Sequence, residues 1–409
     1  MNELNSTPKG ERLTIALFGK TNVGKSSIIN ALTAQEIALV SSVKGTTTDP
    51  VYKAMELLPI GPVMFIDTAG LDDVTSLGNL RKKKTLEVLS KTDIAILVMD
   101  IETGVTDYDK EICSALLEKK IPIIGVLNKV DKKNFDIEYY KSQFNMPLIP
   151  ISALTKAGIN NLKDEIIRLA PESEDKFKIV GDLISPGDIA ILVTPIDKAA
   201  PKGRLILPQQ QTIRDILESD AIAVVTKEFE LRETLNSLGK KPKIVITDSQ
   251  VFLKVAADTP KDILMTSFSI LMARYKGDLT ELVRGAKAIE NLKDGDKVLI
   301  SEACTHHRQS DDIGKVKIPR WLRQKTGKKL DFHFSSGFSF PENIEEYSLI
   351  VHCAGCMLNR RAMLHRINSA VEKSIPIVNY GVLIAYVQGI LPRALKPFPA
   401  ANKLFNKAN

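Results

Sequence analysis

The eight residues from Gly19 to Ser26 restrict the fold of this chain more than any other segment. They read GKTNVGKS, which fits the pattern G-x-x-x-x-G-K-[ST], and the apolar run Leu13–Phe18 directly precedes them. In this setting the pattern predicts a strand, a loop and a helix, with backbone N–H groups turned around phosphate oxygens. Lys25 is expected to reach the β- and γ-phosphates, and the Ser26 hydroxyl to bind Mg²⁺. The chain therefore begins with an α/β nucleotide-binding domain.

Later motifs in the same domain indicate that the nucleotide is GTP. Asp67 begins Asp-Thr-Ala-Gly after an apolar strand; this carboxylate can hold Mg²⁺, and the Gly70 N–H can contact the γ-phosphate. Asp131, the last residue of Asn-Lys-Val-Asp, can accept both N–H donors of the guanine edge, which adenine does not offer. The predicted nucleotide-binding residues are Gly19, Asn22, Gly24, Lys25, Ser26, Ser27, Thr47, Asp67, Gly70, Asn128, Lys129, Asp131, Ser152 and Ala153. Those with a predicted role in hydrolysis are Lys25, Thr47, Asp67 and Gly70.

These motifs, in this order, resemble the translation-factor-related G domains of the tRNA-modifying and ribosome-assembly type. The resemblance places Thr47, in the polar segment 44–49, at the position of their switch threonine and makes it a Mg²⁺ ligand. Asn22 matches the residue with which some relatives bind a monovalent cation, which implies K⁺-assisted hydrolysis. Leu71 follows the Asp-Thr-Ala-Gly motif where Ras-like proteins carry a water-orienting Gln, so slow turnover is expected.

Composition fits a multidomain globular protein of a reducing compartment. The chain has 409 residues, enough for two or three domains, and its net charge of +7 permits an acidic partner without requiring one. The basic run 81–84 is interpreted as a solvated helix face. No apolar run has the roughly 18 residues that span a bilayer, and the first 11 residues form no signal-peptide core, so a cytoplasmic location is expected. Cys113 lies in an amphipathic helical pattern and is expected to be a small buried residue.

Metal-binding residue types are crowded into one part of the chain. The residues in question are Cys304, His306, His307, His333, His352, Cys353, Cys356 and His365, which include every histidine and three of the four cysteines. Cys353 and Cys356 form a C-x-x-C pair between the apolar strand 347–351 and a predicted helix, 357–371. That helix would begin near Cys356 and present its positive end to an anionic group. His333 and His365 are expected to have packing or surface roles.

The residues alone leave the metal open. Three thiolates suit zinc or iron–sulfur chemistry. His306 or His352 could complete a tetrahedral Cys₃His zinc site. A 4Fe-4S cube would instead have three cysteine ligands and a fourth iron held by histidine, a carboxylate or an exchangeable ligand.

The order of predicted elements indicates three α/β domains. They are a GTP-binding domain at 1–171, a dimerisation domain at 172–265 and a metal-binding domain at 266–409. The middle segment alternates strands with helices, as in a parallel sheet, and contains no Cys or His, so we expect a scaffold or dimer interface there. In the last segment the predicted strand 297–301 precedes Cys304, and the strand 347–351 precedes Cys353. Ligands of open α/β sheets lie beyond the carboxyl ends of strands, and we expect the cysteines to meet in one crevice there.

Taken whole, the chain resembles the FeFe-hydrogenase maturation GTPases. The resemblance rests on the G motifs combined with Cys304-x-His306 and His352-Cys353-x-x-Cys356. It implies a 4Fe-4S cluster on Cys304, Cys353 and Cys356, with His352, His306 or Glu302 as candidates for the fourth position. It also implies a homodimer or higher oligomer that scaffolds the two-iron subcluster, with two radical-SAM maturases and the apo-hydrogenase as partners.

The alternative is a ribosome-assembly or RNA-binding GTPase with a structural Cys₃His zinc site. The last two predicted domains contain no G-x-x-G clamp of the KH type and no platform of aromatic and basic residues. Nucleic acid is therefore not an expected partner, and a membrane is not expected either because no apolar run is long enough to span one.

Overall fold

The computed structural model describes most of the chain in two compact units, Met1–Glu174 and Asp175–Asn409. The described residues are 12–33, 42–43, 50–68, 78–170, 178–196, 205–303, 312–337, 340–341, 343–353, 355 and 358–407, with the side chains of 42–43 and 78–84 excepted. Within them, no helix is both long and apolar enough to cross a bilayer.

The first unit contains a seven-stranded sheet in its described part. Its strands are β1 (Leu13–Phe18), β2 (Ser42–Val43), β3 (Val51–Leu57), β4 (Gly61–Asp67), β5 (Ile94–Asp100), β6 (Ile123–Asn128) and β7 (Leu148–Pro150). Its helices are α1 (Lys25–Thr33), α2 (Gly78–Lys91), α3 (Asp107–Glu118), α4 (Ile137–Lys141) and α5 (Ile159–Leu169). The strand order is β2-β3-β4-β1-β5-β6-β7; the β2–β3 and β3–β4 pairs are antiparallel, and the remaining pairs are parallel.

Both faces of this sheet are covered, which explains its apolar strands. Every residue of β5 and of β6 is buried, as expected of parallel strands with helices on both sides. Cys113 on α3 is buried as predicted, and burial raises the pKa of its thiol. The basic run 81–84 lies in α2, but its side chains are outside the described part of the structure.

The second unit begins with a four-stranded parallel sheet. Its strands are β8 (Ile189–Val193), β9 (Ile222–Thr226), β10 (Ile244–Thr247) and β11 (Leu264–Ser267). Its helices are α6 (Leu207–Glu218), α7 (Leu231–Ser237), α8 (Phe252–Asp258), which follows a 3₁₀ turn at Ser249–Val251, and α9 (Phe268–Lys276). The strand order is β9-β8-β10-β11, so β11 crosses the boundary at residue 265 that the sequence suggested.

A second four-stranded parallel sheet follows in the same unit. Its strands are β12 (Lys297–Glu302), β13 (Asp331–Ser336), β14 (Leu349–His352) and β15 (Ile377–Asn379), in the order β13-β12-β14-β15. Its helices are α10 (Leu279–Ala288), α11 (Ile318–Thr326), α12 (Arg360–Glu372), α13 (Tyr380–Val387), α14 (Leu391–Ala394) and α15 (Pro399–Asn406). Short turns of helix occupy Ile289–Asn291, Ile313–Lys317 and Ile344–Glu346.

One hydrophobic core serves both sheets of the second unit. Buried residues from Ile179 to Ala401 form a single cluster, to which α9, lying between the two sheets in the chain, contributes Phe268 and Leu271. Arg393 on α14 fastens the sheets further by donating to the carbonyls of Ala256 (2.6 Å) and Thr259 (2.6 Å). The two sheets therefore form one compact body.

Both sheets of the second unit have the same strand order relative to the chain. The second strand lies outside the first, and the chain then crosses to the other side for the third and fourth strands. In the last sheet this change of direction lies between β12 and β14, which are adjacent and parallel with Ser301 opposite His352. Ligands of open α/β sheets bind outside the carboxyl ends of strands at such a point. Cys353 follows β14 directly, as the sequence predicted.

The helix after the C-x-x-C pair begins later than predicted. The sequence placed its start near Cys356, whereas α12 begins at Arg360. Asn359 is the reason, because its side chain accepts from the Ala362 N–H (3.0 Å) and caps the helix. The helix therefore starts four residues beyond Cys356, which itself lies outside the described residues.

Candidate functional site

The phosphate-binding loop is held tightly against its neighbours. Gly19 has φ +142° and Gly24 has φ +96°, values that favour glycine. A Cβ on Gly19 would lie 2.2 Å from the Val98 carbonyl oxygen, and one on Gly24 would lie 2.3 Å from Nδ2 of Asn128. Both glycines are therefore required by space as well as by backbone conformation.

The predicted magnesium ligands come from two neighbouring elements. Ser26, near the start of α1, donates its hydroxyl to Oδ2 of Asp67, the last residue of β4. Lys25 is 4% exposed, and its ammonium donates to the carbonyls of Gly19 and Lys20 (2.8 Å to the latter). The Ser26 hydroxyl and the Asp67 carboxylate lie next to each other, and oxygen ligands of these two kinds suit a Mg²⁺ ion that also binds phosphate oxygens.

Asn128 joins the phosphate loop to the predicted base pocket. It is 2% exposed, and its Nδ2 donates to the Val23 carbonyl (2.8 Å). Its Oδ1 accepts from the Ala153 N–H (3.1 Å), beside Ser152, which is 1% exposed. Asp131 is exposed. The side chain of Asn128 thus fixes the segment expected to read guanine relative to the segment expected to bind phosphate.

Lys129 makes a second connection between the phosphate-binding loop and the predicted base pocket. It also bonds to Asp100, a residue that the sequence motifs did not indicate. Its Nζ donates to the Asn22 carbonyl (2.9 Å) and forms an ion pair with Oδ2 of Asp100 (2.5 Å). Asp100 is the last residue of β5, and an acid at the end of an otherwise apolar strand was the available signal. Ser27 lies exposed on α1, while Thr47, Gly70 and Leu71 fall outside the described residues.

The second candidate site lies at the carboxyl edge of the last sheet. Cys353 is partly buried, and its Sγ accepts from the N–H groups of Ala303 (3.2 Å) and Gly355 (3.4 Å). Such bonds stabilise a thiolate, the form that binds metals. The residues Cys304, His306 and Cys356 lie outside the described part of the chain. Among the described residues, no three Cys, His, Asp or Glu side chains form a metal-binding group.

Both ring nitrogens of His352 are occupied. Nδ1 lies 2.6 Å from the Cys353 carbonyl oxygen, and Nε2 lies 2.7 Å from Nη1 of Arg366. A guanidinium can only donate, so Nε2 is the acceptor and Nδ1 carries the hydrogen. His352 is 1% exposed and Arg366 is 2% exposed. No sequence motif indicated Arg366, which lies 14 residues along the chain from His352.

Glu302 lies at the same edge, at the end of β12. Its Oε1 accepts from the hydroxyl of Tyr380 (3.0 Å). Burial, with the charge of Glu302 nearby, raises the pKa of Tyr380 far above its ordinary value, so the hydroxyl remains a donor. The two weaker histidines have the predicted surroundings: His333 contacts the Tyr347 hydroxyl (3.1 Å), and His365 is exposed on α12.

Three family models match this chain in succession. The 50S ribosome-binding GTPase model matches residues 14–129. The hydrogen maturase F dimerization domain matches residues 179–277, and the hydrogen maturase F tetramerization domain matches residues 280–397. The two sheets of the second unit thus correspond to two oligomerisation domains of one family.

Similar curated proteins are GTPases. The tRNA modification GTPase MnmE of Moorella thermoacetica is 35% identical over 165 residues, which are 38% of this chain and 34% of that protein. The GTPase Der of Helicobacter hepaticus is 35% identical over 179 residues, 41% of this chain and 37% of that protein. The chain spans about a third of the length of these curated relatives.

Solved structures with similarity to this chain also belong to G proteins. The G domain of the T. maritima FeoB iron transporter is 24% identical and has a TM-score of 0.32, covering 39% of this chain and 100% of that one. Era from Aquifex aeolicus is 21% identical with a TM-score of 0.34, covering 55% of this chain and 98% of that one.

The family matches decide between the two functions considered from the sequence. A ribosome-assembly GTPase is not favoured, because the residues beyond the G domain match hydrogenase-maturation domains. The first unit is a GTPase domain, and the second carries the dimerization and tetramerization domains in order. The chain therefore belongs to the hydrogen maturase F family of hydrogenase-maturation GTPases.

Proposed function

We propose that this protein binds a 4Fe-4S cluster through Cys304, Cys353 and Cys356 and scaffolds the two-iron subcluster of FeFe-hydrogenase before transfer to the apo-enzyme. One observation carries the proposal. The N–H of Ala303, the residue immediately before Cys304, donates to Sγ of Cys353 (3.2 Å). The chain therefore approaches the Cys353 sulfur from the neighbouring strand at the position where a second cysteine follows.

The surroundings of Cys353 suit a thiolate ligand of iron. Two backbone N–H groups point at its sulfur, and hydrogen bonds to cluster sulfurs are among the ways in which proteins adjust iron–sulfur chemistry. In the bound cube, cysteines would hold three of the four irons. The fourth iron would keep an exchangeable ligand position, to which a second metal group could attach. Three cysteines can therefore bind the cube without placing a protein ligand on every iron. Glu302 and His306 are the side chains proposed to occupy the fourth position weakly.

The GTPase domain is proposed to regulate this process and to take no part in the metal chemistry. Its sequence contains no histidine, and its one cysteine, Cys113, is buried in α3. In the nucleotide complex, Ser26, Thr47 and Asp67 would hold Mg²⁺, and Asn22 would bind K⁺. We propose slow, K⁺-stimulated hydrolysis of GTP in the cytoplasm, with two radical-SAM maturases and the apo-hydrogenase as partners.

The first sheet of the second unit offers an edge for homodimer formation. The edge strand β9 exposes Ile222 (49%) and Val225 (45%), and Phe229 just beyond it is 72% exposed. An exposed apolar edge strand favours pairing with another strand. We propose that β9 belongs to the dimer interface and that the last domain extends the dimer to a tetramer.

Metal analysis of two matched cysteine variants tests the proposal. After anaerobic reconstitution, the wild type is expected to contain iron and sulfide in equal amounts, about four of each per chain. Cys353→Ser should lose most of both, whereas Cys113→Ser should retain them because Cys113 lies in the first unit. Stoichiometric zinc without sulfide in the wild type would instead support a structural zinc site.

A further inference from the structure

Arg366 closes a ring of hydrogen bonds around the carboxyl end of β12. It donates from Nη1 to Nε2 of His352 (2.7 Å) and from Nη2 to the carbonyl of Gly337 (3.1 Å). Gly337 follows β13, and His352 ends β14, so the guanidinium spans the two strands that flank β12. Its Cζ also lies 5.3 Å from the ring centroid of Phe340, where the aromatic face stabilises the cation.

The remaining bonds of the ring involve β12 itself. The Gly337 N–H donates to the Glu302 carbonyl (2.9 Å). On the other side, Nδ1 of His352 bonds to the Cys353 carbonyl (2.6 Å), and Sγ of Cys353 accepts from Ala303 (3.2 Å). Taken together, these bonds connect the Cys353 turn to the end of β12, the strand that leads to Cys304.

The same contacts determine what His352 can do. Its Nε2 lone pair is already used by a guanidinium that stays charged, and its Nδ1 carries a hydrogen. Binding of iron at Nε2 would require that the ring leave Arg366. The Nη1 donor of Arg366, which is almost fully buried, would then lose this acceptor, which is costly for a charged group away from water.

We propose that His352 and Arg366 act together as positioning residues that orient the Cys353 turn, and that Arg366 keeps His352 from becoming the fourth iron ligand. This inference rests on the proposed cluster and adds to it a reason why one corner stays exchangeable. Residues that orient metal ligands typically affect metal affinity by about 10- to 100-fold when removed. His352 contacts the Cys353 carbonyl directly, and Arg366 acts on Cys353 through His352.

A double-mutant cycle with a spectroscopic readout tests the pairing. The variants are His352→Ala, Arg366→Met and the double variant, with Arg320→Met as the control because Arg320 is exposed on α11. Each single change is expected to speed loss of iron to a chelator by about 10- to 100-fold. The double variant should be no faster than the more affected single variant, because the two side chains act as one unit. The control should match the wild type.

Two further variants keep the test decisive if Arg366→Met does not fold. His352→Gln offers Arg366 an acceptor oxygen near the Nε2 position, and it is expected to retain iron better than His352→Ala. Arg366→Lys keeps the charge but not the paired donors, and it should lie between the wild type and His352→Ala. Circular dichroism and thermal melting confirm the fold of each protein before comparison.

Pulsed EPR on reduced protein labelled with ¹⁵N-histidine separates positioning from ligation. We expect no coupling of the size of an iron-bound nitrogen in the wild type. A strong ¹⁵N coupling that disappears in His352→Ala would overturn the inference, as would independent, multiplicative effects in the double variant. In either case iron and sulfide would still be present. Their absence from the wild type would overturn the proposed function and the inference together.

Discussion

Asn128→Ala tests whether one buried amide aligns the phosphate loop with the base pocket. The wild-type side chain makes bonds of 2.8 Å to the Val23 carbonyl and 3.1 Å to the Ala153 N–H. Each is worth about 1 kcal/mol, so alanine should cost about 2 kcal/mol in the alignment of these two segments. If nucleotide binding must restore that alignment, the dissociation constant for GTP should rise by about 30-fold.

Titration with a fluorescent GTP analogue measures this change directly. Asn161→Ala is the matched control, because Asn161 is exposed on α5 in the same unit and should leave the affinity unchanged. Thermal melting of both variants shows whether the first unit remains folded. A folded Asn128→Ala protein whose GTP affinity stays within about threefold of the wild type would refute the alignment argument.

Three other predictions address the base, the cation and the dimer. Asp131→Asn should weaken GTP binding by at least about tenfold and improve binding of XTP, because an amide can donate to the extra carbonyl of xanthine; competition binding measures both effects. Replacing K⁺ by Na⁺ should slow GTP hydrolysis in the wild type but not in Asn22→Ala, and equal wild-type rates in the two salts would remove the cation role of Asn22. Val225→Lys should shift the dimer toward monomer in light scattering because it puts a charge on the β9 edge, whereas Leu217→Lys, 58% exposed on α6, should not.

Local sequence patterns were sufficient to predict the strands and the helix that carry the nucleotide-binding motifs, because these motifs are short and contiguous. The strand, loop and helix around Lys25 lie where the pattern predicts, and Ser26 donates to Asp67, the other residue predicted to hold magnesium. Asp100 was missed because its partner, Lys129, is 29 residues away and only the pairing of β5 with β6 brings them together.

At the cysteine site, too, the local elements were predictable from the sequence and the long-range contacts were not. Apolar runs before Cys304 and Cys353 correctly predicted parallel strands, which are indeed adjacent. Arg366 could not be found from spacing, because it acts on Gly337, which is 29 residues away on another loop. The start of α12 was misplaced because hydrophobic periodicity outweighed the capping residue Asn359.

The shared core of the two sheets in the second unit could not be predicted from the sequence. Periodicity predicted two successive α/β segments, and two separate parallel sheets are present. Their common core depends on side chains packed across both segments, including those of α9, and the hydrophobic pattern of one helix does not reveal its partners. The sequence therefore predicts the two sheets but not the core that they share.

The most direct test of the central claim is pulsed EPR on the reduced, reconstituted protein with added ¹³C-cyanide. We expect a new ¹³C coupling in the wild type, because three cysteines hold the cluster and leave one iron open to an added ligand. The same coupling is expected in His352→Ala, since His352 bonds to Arg366 and does not hold iron. If cyanide produces no coupling and a histidine proves as necessary as Cys353 for retaining iron, the claim of an open cluster position is contradicted.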